Sequence, residues 1–276
     1  EGAKAKNYNF VSKDRPASSA DINVDLNYPI TVARNVAKMY DMAIIPGIEI
    51  TRKEGEYSHF NALFTKDNNA VYAPETMESI RNAKKQGALV MHNHPGWMHK
   101  DMKPTKFEQE VYKAGLLDGI EIMNGAEFYP KAITRALKYN LFMSSNSDIH
   151  GVSERVEGQP RRNMTFIFAK DKSLASLREA IEAHRTIAYS HGTIAGEESL
   201  LRKFVESSLE VRAAGVDRKG KKQYVVKNNT SVEFLIHFEG GNPIALKGLS
   251  SVFVKELKAA LGLPAVTSFK HVSPTS

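Results

Sequence analysis

The sequence predicts an α/β protein in which strands and helices alternate, followed by a small β-rich domain. From residue 42 to residue 190, short apolar runs alternate with segments of helical periodicity. Such alternation is typical of parallel strands joined by crossover helices. Polar side chains follow several of these strands, and the carboxyl ends of parallel strands are where active sites lie. The alternation stops at about residue 204, where shorter strand patterns begin.

The first predicted elements carry two candidate site residues. A helix is predicted at about 30–40 from apolar residues near helical spacing. A strand with a proline–glycine kink follows at 42–51 and places Glu49 close to its end. After a polar loop, a second short strand is predicted at 58–64, with His59 at its start.

Prolines and glycines delimit the helices that follow. Proline is favoured in the first turn of a helix and glycine just after its last turn. On this basis a helix is predicted to begin at Pro74 and to end before Gly87. The further predicted elements are helices at 104–114, 130–138 and 174–184 and strands at 88–94, 119–125, 141–145, 163–169 and 186–190.

The boundary between the two predicted domains lies after residue 204. Residues 1–204 form the larger domain, and residues 205–276 form a small β-sandwich-like domain without a constellation of catalytic residues. The strands of the small domain are predicted at 209–213, 223–228 and 231–239, and a last segment at 252–261 is helical in pattern but could also pair as a strand.

Composition limits the chemistry of any site in this chain. The chain has 276 residues, of which 42% are hydrophobic, and this is enough for a full core. It has no cysteine, so it forms no disulfide and no thiolate metal site. A metal would therefore be held by His, Asp, Glu or Asn, which are ligands that favour manganese, iron, zinc or magnesium.

Charge and hydropathy argue against two further classes of protein. The formal net charge of +7 comes from scattered basic residues, which suit anionic ligands but indicate no track for nucleic acid. No apolar run approaches the ~20 residues of a spanning helix, and no signal peptide is visible. The sequence leaves the compartment, cytoplasm or periplasm, and the oligomeric state open.

Residues 88–97 place two histidines at the end of a predicted buried strand. Pro95 cannot extend a central strand and Gly96 permits a sharp turn, so the strand is expected to end here. His92 and His94 lie two residues apart, and on one strand they would face the same way. Such a pair is either a fixed metal ligand set or a pair of hydrogen-bonded core histidines, and the motif alone leaves both open.

Other strand ends carry the same kinds of side chain, and together they predict a metal site. Histidines with bridging carboxylates suit two or three divalent ions that lie about 3.5–4 Å apart. The candidate ligands are Glu49, His59, His94, Asp148 and His150. Asp148 and His150 would share one side of a strand if the backbone stays extended. Taken alone, Asp148 could instead cap the following turn and His150 could be solvated.

Five short motifs of this chain, taken in order, resemble those of the PHP (polymerase and histidinol phosphatase) superfamily. The chain is most similar to its two-domain metal-dependent phosphoesterases, which add a small β domain to the catalytic barrel. The resemblance covers about residues 30–204 well and the tail loosely. The motifs are Gly47-Ile-Glu49, His59-Phe-Asn, Asn93-His-Pro-Gly96, Ile120-Glu-Ile-Met-Asn124 and Ser147-Asp-Ile-His150.

This resemblance implies a distorted, seven-stranded, TIM-like β/α barrel that holds up to three metal ions. Glu49 would bridge the first and second ions, and His59 and His94 would complete the second. Asp148 would bind the first ion and His150 the third. Glu49 and Asp148 are thereby implied as the catalytic carboxylates.

The family's early His-x-His and Asp-His motifs are absent, because no histidine precedes His59. Either the chain begins after the strands that carry them, or the protein is a degenerate member of the family. We favour the first explanation, because the helix at 30–40 lacks a preceding partner strand. In addition, residues 1–29 resemble the loop that would follow the missing strands.

The expected function is hydrolysis of a small phosphate mono- or diester by a metal-bound hydroxide. Arg185 is a candidate phosphate clamp, or a helix C-terminal arginine. Trp97 could wall the substrate pocket, or be an ordinary exposed turn residue, and His92 could support the ligands. Glu121 and Asn124 could orient ligands or simply end a strand. The alternative functions are another metal-dependent hydrolase of amidohydrolase type, or a non-catalytic binding module.

Overall fold

The computed structural model describes residues 25–51, 58–97, 100–150, 163–236 and 243–255. The chain divides into two compact units between His191 and Gly192. The domain boundary predicted from the sequence, at residue 204, lies inside a helix that belongs to the second unit.

The first unit is mixed α/β, as the sequence predicts. Its helices are α1 (Tyr28–Ala37), α2 (Thr76–Lys85), α3 (Lys106–Lys113), α4 (Pro130–Tyr139) and α5 (Leu174–Glu182). Its strands are β1 (Gly47–Thr51), β2 (His59–Leu63), β3 (Leu89–His92), β4 (Gly119–Asn124), β5 (Glu127–Phe128), β6 (Phe142–Asn146), β7 (Met164–Ile167) and β8 (Thr186–Ser190). Each of the helices and strands predicted between residues 30 and 190 is present, and the two-residue strand β5 was not predicted.

The expectation of uniformly parallel strands is wrong for part of the sheet. The main sheet has the order β1-β2-β3-β4-β5, and β6 pairs with β4. β3, β4 and β6 are parallel, but β1 and β2 form an antiparallel pair, as do β2 and β3. A parallel crossover needs about a dozen residues or more, whereas only residues 52–58 separate β1 from β2. In a second sheet β7 runs antiparallel to β8. The strands of the first unit that the structure describes thus form two sheets, and a closed seven-stranded barrel stays a prediction.

Side-chain hydrogen bonds align β8 with β6. The Thr186 hydroxyl donates to the carbonyl of Met143 at 2.7 Å, and the Ser145 hydroxyl donates to the carbonyl of Tyr189 at 2.8 Å. Residue numbers rise together along both strands, so the two strands run in the same direction. The carboxyl ends of β3, β4, β6 and β8 therefore lie at one edge of the unit.

The central strands of the main sheet are buried on both faces, which indicates that helices pack against them. All residues of β3 are buried, as are all residues of β4 but the last, a pattern typical of strands covered by helices on either side. One core cluster joins β3, β6 and α5 through Leu89, Met91, Phe142 and Ile181.

The second unit is a small β-rich domain that begins with a short strand and a helix. Its elements are β9 (Thr193–Gly196), α6 (Glu198–Ser208), β10 (Leu209–Val216), β11 (Lys222–Asn228), β12 (Phe234–Ile236), β13 (Ile244–Leu246) and β14 (Ser251–Lys255). β10, β11 and β14 form one antiparallel sheet, and β12 pairs with β13. Their shared core is formed by Val205, Val226, Phe234, Ile236, Leu246 and Val254.

Predictions for the second unit hold in part. The strands at 209–213 and 223–228 are present, the strand at 231–239 is described only as β12, and β9, α6 and β13 were not predicted. The start of the segment at 252–261 pairs as a strand, β14, and its remainder lies outside the described residues. No helix in the described ranges has the length and apolar character needed to cross a membrane.

Candidate metal centre

Three side chains from neighbouring strands converge at one edge of the main sheet. The Nδ1 atom of His59 lies 3.3 Å from Oε1 of Glu49 and 3.1 Å from Nε2 of His94. The distance from Nε2 of His94 to Oε1 of Glu49 is 3.9 Å. Among the described residues, these three form the group of histidine and carboxylate side chains that could hold a metal ion.

The antiparallel strands β1 and β2 place the first two of these side chains together. Glu49 pairs with Asn61 and Thr51 pairs with His59 in the ladder, so Glu49 and His59 are diagonal neighbours on one face of the sheet. The backbone N–H of Asn93, just after β3, donates to the carbonyl of His59 at 2.9 Å. This bond holds the end of β3 against β2, beside the carboxylate.

A tight turn after β3 presents His94. The strand ends at His92, and His94 has a φ of +28°, which is uncommon for a residue other than glycine. The N–H of Trp97 donates to the carbonyl of His94 at 3.0 Å and closes the turn. A Cβ atom at Gly96 would lie 2.6 Å from the ring of Tyr129, so only glycine fits this close approach.

His94 has a positive φ, so the backbone is not extended here. The prediction that His92 and His94 face the same way is therefore wrong. His92 is 1% exposed, and its ring stacks on Phe60. Its two nitrogens contact helix α3, Nδ1 at 2.8 Å from the Tyr112 hydroxyl and Nε2 at 3.1 Å from Glu108. His92 is therefore a hydrogen-bonded core histidine, whose partners lie on a different element from those of His94.

The electrostatics of the cluster favour a bound cation. Burial raises the pKa of Glu49, but hydrogen bonds from His59 and His94 lower it well below its ordinary value. Burial lowers the pKa of His94, but the hydrogen bond with Glu49 and the surrounding carboxylates raise it overall. Two of these carboxylates are Glu121 and Asp148. The carboxylates thus favour positive charge at this position.

The geometry of the three groups fits a divalent metal ion. Ligand atoms about 2.1 Å from a tetrahedral Zn²⁺ lie about 3.4 Å apart, and the observed separations are 3.1, 3.3 and 3.9 Å. Two imidazoles and one carboxylate leave a coordination position open, as catalytic sites require. The amide of Asn93 donates to Oε1 of Glu49 at 3.2 Å and helps to orient this ligand.

The structure does not bring Asp148 and His150 into this group. Residues 147–150 follow the end of β6, and Asp148 has a φ of +49°, so the extended backbone that would align the two side chains is absent. The His150 ring is 81% exposed and lies 2.8 Å from the carbonyl of Asp148. Asp148 acts on the cluster through its charge, since it raises the pKa of His94.

The two weaker candidates differ in their placement. Trp97 is half-exposed, and its ring centroid lies 5.6 Å from that of His59 and 5.3 Å from that of His94, so it walls the cluster. Arg185 lies at the amino end of β8, opposite the carboxyl edge. Its guanidinium donates to the carboxylate of Glu179 and to the carbonyl of Phe168.

Two buried glutamates contact residues 92–94, Glu108 at His92 and Glu121 at His94. Of these, Glu108 was not identified from the sequence. Glu108 closes a capping box with Thr105 at the start of α3 and accepts a hydrogen bond from the Ser58 hydroxyl at 2.9 Å. The spacing Thr-x-x-Glu is a known helix-start signature and could have located it. Glu121 is 1% exposed, and burial raises its pKa to about 7 despite several hydrogen bonds that lower it.

Comparison with known structures identifies a close structural neighbour. It is the crystal structure of a two-domain protein from Bacteroides vulgatus ATCC 8482 that contains a predicted PHP-like metal-dependent phosphoesterase. The two proteins share 31% sequence identity with a TM-score of 0.73, over 86% of this chain and 72% of the other. No protein-family model and no curated protein matches the chain.

Proposed function

This chain belongs to the PHP superfamily, among its two-domain proteins, and on this premise we propose that it is a metal-dependent phosphoesterase. The substrate would be a small phosphate mono- or diester. The observation that carries the proposal is the convergence of Glu49, His59 and His94 at separations that suit one divalent ion. The positive net charge of the chain suits an anionic substrate.

The residues of the cluster have distinct roles in this proposal. Glu49, His59 and His94 would hold the ion, which supplies Lewis acidity to water and to phosphoryl oxygens. Glu49 keeps its negative charge near neutral pH because its pKa is lowered, so it is ready to accept a metal without losing a proton. Trp97, whose ring lies beside those of His59 and His94, would wall one side of the substrate pocket.

We extend the proposal to the finer features that the family implies. Asp148 and His150 would bind further ions after a movement of the turn at 147–150, with Glu49 as the bridge. Manganese, zinc and iron are the candidate metals, and the first unit would complete a seven-stranded barrel. Arg185 is left out of the proposed site, because its guanidinium is paired with Glu179 at the other end of its strand.

The test is metal content and ester hydrolysis measured on the same preparations. The protein is loaded with Mn²⁺, Zn²⁺ or Fe²⁺, dialysed, analysed for metal, and assayed with p-nitrophenyl phosphate and bis-p-nitrophenyl phosphate. We expect at least one bound ion and hydrolysis of one ester, with both lost in the His94→Ala variant. His184→Ala is the matched control, because this histidine flanks the amino end of β8.

Two outcomes would contradict the proposal in different ways. A protein that binds metal but cleaves an anilide rather than either phosphate ester would be a hydrolase of the amidohydrolase type. A protein that binds metal and cleaves neither class of substrate would be a binding module.

A further inference from the structure

The buried carboxylate of Glu121 is bound on all sides by hydrogen-bond donors. Its Oε2 atom accepts the backbone N–H of His94 at 2.5 Å and the side-chain amide of Asn124 at 3.0 Å. Its Oε1 atom accepts the side-chain amide of Asn146 at 2.6 Å. The carboxylate therefore joins the turn after β3 to the carboxyl ends of β4 and β6.

The bond to His94 is the one that bears on the metal centre. His94 is 6% exposed and its φ of +28° is strained for a residue with a side chain. Its N–H has no ladder partner, because β3 ends at His92. Glu121 supplies the acceptor that this buried N–H needs, and thereby stabilises the backbone conformation from which Nε2 of His94 reaches Glu49.

We propose that Glu121 is a positioning residue of the metal centre, which acts by holding the backbone of His94 in its ligand-presenting conformation. This inference rests on the proposed metal-dependent function. It assigns to Glu121 neither contact with the ion nor contact with the substrate. Its essential property is an acceptor oxygen, and its charge is secondary.

Two substitutions separate these properties. Glu121→Met keeps the length of the side chain but removes the acceptor. Glu121→Gln keeps an oxygen for the His94 N–H and for Asn124, and its new N–H₂ is accommodated when the Asn146 amide turns to present its oxygen. Partners that orient metal ligands typically contribute 10–100-fold to metal affinity, so we expect that loss for Glu121→Met and a loss below about threefold for Glu121→Gln.

The measurement is competitive titration with Zn²⁺, together with the visible spectrum of the Co²⁺-loaded protein, which reports ligand geometry. Ile122→Ala is the control for destabilisation alone. Ile122 is the next residue of the same strand, is fully buried, and is not among the hydrogen-bond partners of Glu121 described above. We expect this control to lower stability while it leaves Zn²⁺ affinity and the Co²⁺ spectrum unchanged.

Three other outcomes would overturn the inference. Wild-type affinity in Glu121→Met shows that the hydrogen bond is dispensable, and an equal loss in Glu121→Gln shows that charge is what matters. An equal loss in Ile122→Ala shows a general effect of stability. If the wild-type protein binds no metal, the proposed function fails. The inference is then decided by amide hydrogen exchange at His94, which should be at least tenfold faster in Glu121→Met only.

Discussion

The buried carboxylate of Glu108 gives the sharpest prediction for stability, through the substitution Glu108→Ala. Its Oε2 atom accepts the N–H of Thr105 at 2.9 Å, and its Oε1 atom accepts the Ser58 hydroxyl at 2.9 Å and faces Nε2 of His92 at 3.1 Å. Loss of a helix cap costs about 1 kcal/mol, and a buried donor left unpaired costs about 1–3 kcal/mol. We expect the variant to lose about 3 kcal/mol.

The lowered pKa of Glu108 predicts how the stability of the fold depends on pH. Burial raises this pKa, but the hydrogen bond and charge of His92, with those of Thr105 and Ser58, lower it from 4.5 to about 2. A change of that size corresponds to about 3 kcal/mol. Since the folded-state pKa is the lower one, this stability is fully present above about pH 4.5 and is lost as the pH falls towards 2.

The assay is urea denaturation at several pH values, applied to the wild-type, Glu108→Ala and Glu108→Gln proteins. At neutral pH, Glu108→Ala should unfold about 6–12 °C lower in a parallel thermal scan, by the usual scaling for chains of this size. Glu108→Gln should lose about 3 kcal/mol less than the wild-type protein between pH 4.5 and 2, and the loss that remains comes from other carboxylates such as Glu49. A loss below 1 kcal/mol in Glu108→Ala, or identical acid profiles, would refute the reasoning.

Three further predictions concern the metal centre and its surroundings. Gly96→Ala should weaken Zn²⁺ binding at least tenfold, because the added methyl group meets the ring of Tyr129; unchanged affinity in a titration would contradict the close approach. Trp97, the only tryptophan of the chain, should change its fluorescence when Zn²⁺ is added, since its ring lies beside His94; the His94→Ala variant serves as the control and should give no change. Arg185→Ala should keep phosphatase activity within twofold, because its guanidinium is bound to Glu179, and a tenfold loss of kcat/KM would restore it as a substrate clamp.

Local signals were sufficient for most elements of the first unit. Prolines and glycines delimit its helices, and the apolar runs of β3 and β4 are buried as their composition predicts. Strand direction is not a local property. The antiparallel course of β1, β2 and β3 follows from pairing between distant segments, and a regular alternation along the chain does not reveal it.

The candidate site shows the same division between local and distant information. Glu49, His59 and His94 were selected as strand-end ligands, and pairing of their strands brings them together. Side chains alternate between the two faces only while the backbone is extended, and a positive φ interrupts this at His94 and at Asp148. This explains why the predicted orientation of His92 was wrong and why His150 lies apart from the cluster. For Glu121 the sequence left open whether it orients ligands or simply ends its strand, because its role depends on a hydrogen bond from a backbone N–H in a distant turn.

All three ligands of the cluster lie between residues 49 and 94, two on the strands β1 and β2 and one in the turn after β3. The centre therefore joins segments that are distant in sequence, since 35 residues separate His59 from His94. An ion bound there would cross-link the three segments and so favour the folded state. An ion at 100 times its Kd adds about 2.7 kcal/mol to the folded state, so the metal supply would set the thermal stability of the first unit as well as its chemistry.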